Sequence, residues 1–133
     1  MSVDPVQIAF DLVTRSTPSG QAPTRSLLEA DYTEDAEQVN GLGMYSAGRE
    51  MIIATVQKVV GAAQTVGIKN EVVSATLLAD SVILAHVLSS AHVAAGPSAG
   101  DVQFRFTLVI VRDGDAWRIR SSSTTPVREM RKL

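Results

Sequence analysis

The chain of 133 residues contains no cysteine. Disulfides, a cysteine nucleophile and a thiolate-ligated metal are therefore excluded, and the compartment is only weakly constrained. No apolar run reaches the roughly 18 residues that cross a bilayer. Twelve Lys and Arg stand against 14 Asp and Glu, a formal net charge of −2. Such a balance gives no electrostatic case for nucleic acid or an anionic membrane surface as partner. Phosphate loop, dinucleotide fingerprint and zinc spacing are all missing, so neither cofactor nor metal is expected. The first residues, Met1 to Pro5, have no basic stretch and no continuous apolar segment, so no signal peptide is expected and the cytoplasm is the expected compartment. Internal repeats and low-complexity segments are absent as well.

What is present is ordinary for a soluble globular protein: 45% apolar and 20% charged residues, enough for one domain over 1–133 with a real core. Asp4-Pro5 opens a helix, with Asp4 as cap and Gln7 where a capping-box partner sits. Val6, Phe10 and Val13, flanked by Ala9 and Leu12, give its apolar face to about Thr14. Thr17-Pro18-Ser19-Gly20 breaks it. A shorter helix follows from about Pro23 to Thr33, with Leu27, Leu28 and Tyr32 inward. A short extended piece, Glu37 to Asn40, turns on Gly41 and Gly43 and extends again. Arg49 to Val66 then reads as the longest helix. Its stripe is Ile52, Val56, Val59, Val60 and Ala63, and Gly67 is the expected stop.

Beyond Gly67 the apolar period changes from 3.6 to 2. Strands are expected at Ile68–Leu78, Ser81–Ala94, Asp101–Arg112 and Ala116–Thr125. They are joined by a reversal at Ala79-Asp80, a loop over Ala95–Gly100 and a hairpin at Asp113-Gly114. Pro126 ends the last. The third strand is apolar on both faces, Phe104, Phe106, Leu108 and Ile110 alternating with Val109 and Val111. Both faces of the sheet are therefore expected to be covered, one by helices and the other by a second copy in a sheet-to-sheet homodimer.

The residues Asp35-Ala36, Val39-Asn40, Gly43, Gly48-Arg49-Glu50, Thr107 to Arg112, Trp117-Arg118-Ile119 and Thr125-Pro126-Val127 resemble the SnoaL-like proteins of the nuclear transport factor 2-like superfamily. The nearest branch is the SgcJ/EcaC type of actinobacterial secondary metabolism, enediyne pathways included. The likeness runs from about Val6 to Val127. It implies an α+β fold, a cystatin-like or nuclear transport factor 2-like cone. In such a cone a curved antiparallel sheet wraps around three helices and a pocket lies between them. Relatives include isomerases, cyclases, dehydratases, hydrolases and proteins that only bind or scaffold, so activity must be argued from the site. Members of that branch often end the last strand with His-Asn-Thr, where this chain has Ser123-Thr124-Thr125. Asn40 stands where the ketosteroid isomerases of the superfamily place an Asp general base. An amide takes up no proton in the working range, which counts against that mechanism.

Candidate side chains carry two readings each. His86 and His92 share one face of a strand roughly 20 Å apart, too far for a common metal. Each is either a satisfied structural histidine or, for His86, a general base in the pocket. Arg105 interrupts an apolar strand. It either pairs with a carboxylate such as Glu71, or crosses the dimer interface, or holds a ligand oxygen in the pocket. Arg49 is expected to clamp back to Asp35. Trp117 reads as core and Tyr45 as a pocket-mouth residue. Ser121 and Ser123 share a face and can hydrogen-bond a ligand, but no nucleophile elbow surrounds them. Asp31, Glu34, Asp35 and Glu37 read as a solvated helix end, and Arg128, Arg131 and Lys132 as a solvated tail.

The resulting expectation is a pocket for an apolar, polyketide- or enediyne-like small molecule. It is contacted by Asn40, Tyr45, His86, Arg105, Thr107 and Ser123, with no metal. If the chain is an enzyme, the chemistry is isomerase-, cyclase- or lyase-type acid–base catalysis without a cofactor, with His86 as the proton carrier. The alternatives are a non-catalytic carrier or accessory protein, and a dimerisation module with a filled core.

Overall fold

The computed structural model describes residues 3–18, 22–96 and 99–128. Ser19 and Gly20 of the expected breaker, part of the 95–100 loop, and Arg131 and Lys132 of the basic tail lie outside the described residues. Helix α1 (Pro5–Ser16) starts as its sequence dictates. Asp4 Oδ1 accepts from the Gln7 backbone N–H at 3.2 Å and Pro5 takes the first helical position. Gln7 does not close a capping box; its Nε2 donates to Asp11 Oδ1, one turn on, at 2.8 Å. The buried stripe is Ala9, Leu12 and Val13, while Val6 and Phe10 are 49% and 39% exposed. The face is thus rotated from the expected one, which included two residues a step too far round the helix.

Helix α2 (Arg25–Asp31) is shorter than expected. Thr24 caps its start, its Oγ1 accepting from Leu27 N–H at 3.3 Å. Its end is decided by Asp31, which is completely buried, and by Tyr32, which adopts extended geometry and opens β1 (Tyr32–Val39). The short extended piece read from sequence is therefore the tail of an eight-residue strand. Strand β2 (Tyr45–Ala47) and helix α3 (Arg49–Ala63) follow. The helix stops at Gln64, which takes the left-handed conformation (φ 53°, ψ 61°) and donates its N–H to Val60 O at 3.2 Å. Gly67 is not the stop: it sits within β3 (Thr65–Ala79) at a register irregularity, with φ 65°.

Arg49 turns away from the expected Asp35. Its Nη1 donates to the carbonyls of Glu29 (3.1 Å) and Tyr32 (3.4 Å), and Arg118 Nη1 also reaches Glu29 O at 3.1 Å. Two guanidinium groups thus satisfy the free carbonyls at the negative end of α2. Asp35 pairs with Arg120 instead, at 3.4 Å.

Strands β4 (Val82–Val93), β5 (Gly100–Asp113) and β6 (Ala116–Pro126) complete a sheet in the order β2-β1-β6-β5-β4-β3. The β3-β4-β5-β6 meander is antiparallel as expected, but β1 runs parallel to β6, so the sheet is mixed. The helices lie on one face. Ile83, Ala85 and Val87 of β4, Leu108 and Ile110 of β5 and Ile119 of β6 pack there against Leu12, Leu28, Ile52 and Ile53. Each fully buried Leu or Ile contributes about 2 kcal/mol. Trp117 packs partly buried against this core, with the Arg112 guanidinium 5.9 Å from its ring centroid. The opposite face carries Val82, Leu84, Val109 and Val111, partly buried among their own neighbours.

Candidate functional site

The core closes only one end of the cone. After Ile52 and Ile53, the stripe of α3 continues through Val56, Val59 and Val60, and these border a cavity of about 420 Å³ instead of a filled interior. Facing them across the cavity are Phe104, Phe106 and Leu108 of β5. Val13 and Leu28 complete its helical side. The strand alternation therefore reads correctly: the Phe104-Phe106-Leu108 face of β5 is the inner one.

A few polar groups interrupt this apolar wall. Gln38 on β1 is 8% exposed and its Nε2 donates to Tyr32 Oη at 3.2 Å. Burial raises the Tyr32 phenol to about 12; the Gln38 hydrogen bond partly offsets this and nearby Asp31 adds to it. Ser122 on β6 (4% exposed) is the direct register partner of Gln38, and Ser89 on β4 is 6% exposed. Both serines line the cavity, and neither hydroxyl has a hydrogen-bond partner among the described residues. Both hydroxyls open onto the cavity and are not sealed inside the protein, so they are polar groups the wall offers to a ligand or to water. Tyr32 and Lys58 are the titratable side chains of the lining among the described residues, with no Asp, Glu or His. Among the described residues, no group of three or more His, Asp or Glu is placed to hold a metal ion.

Of the residues nominated from sequence, Asn40 lines the cavity. Its side chain is already engaged, Oδ1 accepting from the N–H groups of Leu42 (3.0 Å) and Met44 (2.9 Å), so it shapes the β1–β2 turn at the cavity edge. The other five do not line the cavity. His86, Thr107, Ser123 and Tyr45 fall in one cross-strand row on the outer face. Ser123 pairs with Thr107 and Thr107 with His86, while Val39 pairs with both Ser123 and Tyr45. His86 Nδ1 lies 3.4 Å from Thr107 Oγ1. Arg105 sits one row along, between Leu88 and Thr125. It is exposed, not buried, and forms no ion pair with Glu71 or any other described carboxylate. Tyr45, 55% exposed, donates to Glu37 Oε1 at 2.5 Å. That bond, with a second from Arg120, holds the Glu37 carboxyl below its ordinary range and pushes the Tyr45 phenol up. His92 lies 3.0 Å from Asp101, also exposed.

The fold thus brings most of the nominated residues together, but on the far side of the sheet from the cavity. The inner polar set, Tyr32, Gln38, Ser89 and Ser122, was not nominated. Ser89 was readable, since it alternates with Ile83, Ala85 and Val87. Ser122 was not, because β6 is bulged at Arg120. Val109 pairs with Ser121 while Ile110 pairs with Ile119, so Arg120 is an extra residue and everything after it changes face.

No protein-family model matches the chain, and no curated protein does. Solved structures are similar in shape. A nuclear transport factor 2-like protein from Cytophaga hutchinsonii superposes with a TM-score of 0.73 at 13% identity, over 94% of this chain and 100% of that one. A ketosteroid isomerase-like protein from Erwinia carotovora atroseptica gives a TM-score of 0.73 at 10% identity, over 94% and 95%. A type 2 hexachlorocyclohexane dehydrochlorinase gives 0.70 at 14% identity, over 96% and 91%. At such identities the likeness concerns the fold, and that fold is the cystatin-like, nuclear transport factor 2-like cone.

Proposed function

We propose that this chain is a cytoplasmic small-molecule binding protein that takes an apolar ligand into the cone between α1, α3 and the sheet. One observation carries the reading. The cavity is walled mostly by aliphatic and aromatic side chains, and the hydroxyls of Ser89 and Ser122 open onto it without partners among the described residues. An apolar enclosure with a few placed polar groups is the usual form of a small-molecule site. It also argues against a dimerisation module with a filled core. A polyketide or enediyne-type intermediate, the ligand class suggested by the resemblance to the SgcJ/EcaC-type branch, matches this chemistry.

The binding role is favoured over isomerase, cyclase or lyase chemistry because, among the described residues, the lining offers no side chain that exchanges a proton near neutral pH. Tyr32 stays protonated and Asn40 is an amide occupied by its own turn. His86, the proton carrier nominated from sequence, would act only on something bound to the outer face. The test is native mass spectrometry of the protein with and without the neutral dye Nile red, paired with fluorescence titration. Saturable one-to-one binding, lost when Val56→Trp fills the cavity, is the expected result. Binding that survives Val56→Trp, or no binding at all, would sink the reading.

A second copy is the proposed cover of the outer face. The observation that favours it is the apolar strip Val82, Leu84, Val109 and Val111 on that face. Beside it, Glu71 and Arg105 flank Leu88 in one row without ion-pair partners among the described residues. A two-fold axis there would let Arg105 meet Glu71 of the other copy. Sedimentation velocity should show a dimer that Val109→Glu converts to monomer; a wild-type monomer at tens of micromolar would end this proposal.

A further inference from the structure

Resting on the cavity reading above, we infer that the site selects a neutral ligand bearing one carbonyl or hydroxyl oxygen, seated against Tyr32, Gln38 and Ser122, and that it rejects carboxylates. The placement comes from the sheet. Gln38 and Ser122 are partners across the parallel β1–β6 ladder, so their side chains stand side by side on the inner face about 5 Å apart. Tyr32 joins them through the 3.2 Å bond between its Oη and Gln38 Nε2. Whichever of the two donates, the couple keeps at least one N–H or O–H unspent. Ser122 adds an O–H of its own with no protein acceptor among the described residues. Three polar side chains, each more than nine-tenths buried, are therefore grouped on one part of a mostly apolar wall, whose other polar residues include Thr55, Ser89 and Thr124.

All three are neutral and keep donors unspent, beside the acceptor oxygens of Gln38 and Ser122, so they suit a neutral polar oxygen. A carbonyl or hydroxyl oxygen can accept from Ser122 and from the Tyr32–Gln38 couple at once. A hydrocarbon in the same place would cover these donors without replacing their hydrogen bonds, a loss worth about tenfold in affinity or more. A carboxylate would be the worst occupant. The cation of the lining is Lys58, on the exposed side of α3, and a buried anion without a counter-charge is strongly disfavoured. Keeping the Tyr32 phenol protonated well above neutral pH fits the same donor role.

The test is a matched probe series on the wild-type protein at pH 8: 2-ethylnaphthalene, 2-acetylnaphthalene and 2-naphthoate, with affinities from tryptophan quenching and calorimetry. The ketone is expected to bind about tenfold tighter than the ethyl compound, and the carboxylate weakest of the three. Ser122→Ala and Tyr32→Phe should each shrink the ketone preference while leaving the ethyl compound within about twofold. Thr107→Val, on the outer face of the sheet away from the cavity, should leave the preference unchanged. Equal binding of ketone and ethyl compound, or tighter binding of naphthoate, would overturn the inference while sparing the cavity. Failure of all three to bind would remove the cavity reading and the inference with it. Because the wild-type series decides the matter, a variant that does not fold cannot rescue the idea.

Discussion

Arg15 and Asp31 join the ends of the first two helices: Arg15 Nη2 lies 2.8 Å from Asp31 Oδ1, and Asp31 is fully buried while Arg15 is half-exposed. Ser16 Oγ donates to the second carboxylate oxygen at 2.7 Å. A buried carboxylate is tolerated only because both oxygens are occupied. Ser16 also borders the cavity, so this junction positions one of its walls.

Arg15→Ala is therefore expected to destabilise the protein by about 2 kcal/mol, measured by urea denaturation. That is below the penalty for breaking a fully enclosed pair, because water reaches the guanidinium side. Arg15→Lys should recover part of the loss by returning a cation without the fork. A cost for Arg15→Ala within about 0.5 kcal/mol of zero, the range of ordinary surface changes, would show that Ser16 alone suffices.

Gly41 sets the distance between the β1–β2 turn and the cavity. A Cβ there would meet Phe104 Cε1 at 2.9 Å, and no positive φ demands glycine at this position. Phe104 lines the cavity, so its ring has room to give way into it. Gly41→Ala should consequently fold, with overpacking of about 1 kcal/mol expressed mainly as loss of ligand space. Nile red affinity should fall about fivefold while the urea midpoint barely moves. A large stability loss with unchanged dye binding would place the strain in the fold instead.

The meander and the helices were legible because their signals are local. Asp4-Pro5 caps and starts α1, and Phe104-Phe106-Leu108-Ile110 alternates through β5. The sheet's parallel pair was not legible, since nothing in Tyr32 to Val39 announces a partner more than eighty residues away. The side of the sheet on which the nominated residues stand was hidden for a more specific reason. Alternation says which residues share a face, but one inserted residue inverts everything after it. Ser121 and Ser123 do share a face, but the Arg120 bulge makes it the outer one and puts Ser122 inside with Ile119. Tyr32 was likewise read as helical. Only its extended backbone puts it in β1, from which its hydroxyl reaches Gln38.

The two tyrosines predict a pH response of definite sign. Tyr32 is raised to about 12 by burial, and Tyr45 is raised by its bond to Glu37. Unfolded phenols ionise near pH 10. Between these values the folded state holds a proton that the unfolded state has lost, so stability falls as pH rises. For Tyr32 the fall amounts to about 2 kcal/mol by pH 12 and is absent below pH 9. Absorbance at 295 nm should show no phenol titrating at its ordinary value in the folded protein. The stability gap between wild type and Tyr32→Phe should shift by about that amount from pH 9 to 12. A folded-state phenol titrating normally in Tyr45→Phe would contradict the burial argument.

Asn40 tests the general-base position that the resemblance to ketosteroid isomerases suggests. Its Oδ1 already accepts two backbone N–H bonds, from Leu42 and Met44. Asn40→Leu should cost about 1 kcal/mol, because both N–H groups then fall back on water and the turn loosens. Asn40→Asp keeps the acceptor and should fold as well as the parent. The new carboxylate would be held as an anion by the same two donors, so its pKa should lie below the ordinary value for Asp. A weakly basic group committed to a turn abstracts no proton, and Asn40→Asp is expected to isomerise no β,γ-unsaturated ketone above the buffer rate. The check is a carbon-13 carboxyl titration beside an absorbance assay for the conjugated product. A raised pKa together with measurable turnover would show that the turn releases the side chain into the cavity, and would return Asn40 to the centre of a latent catalytic site.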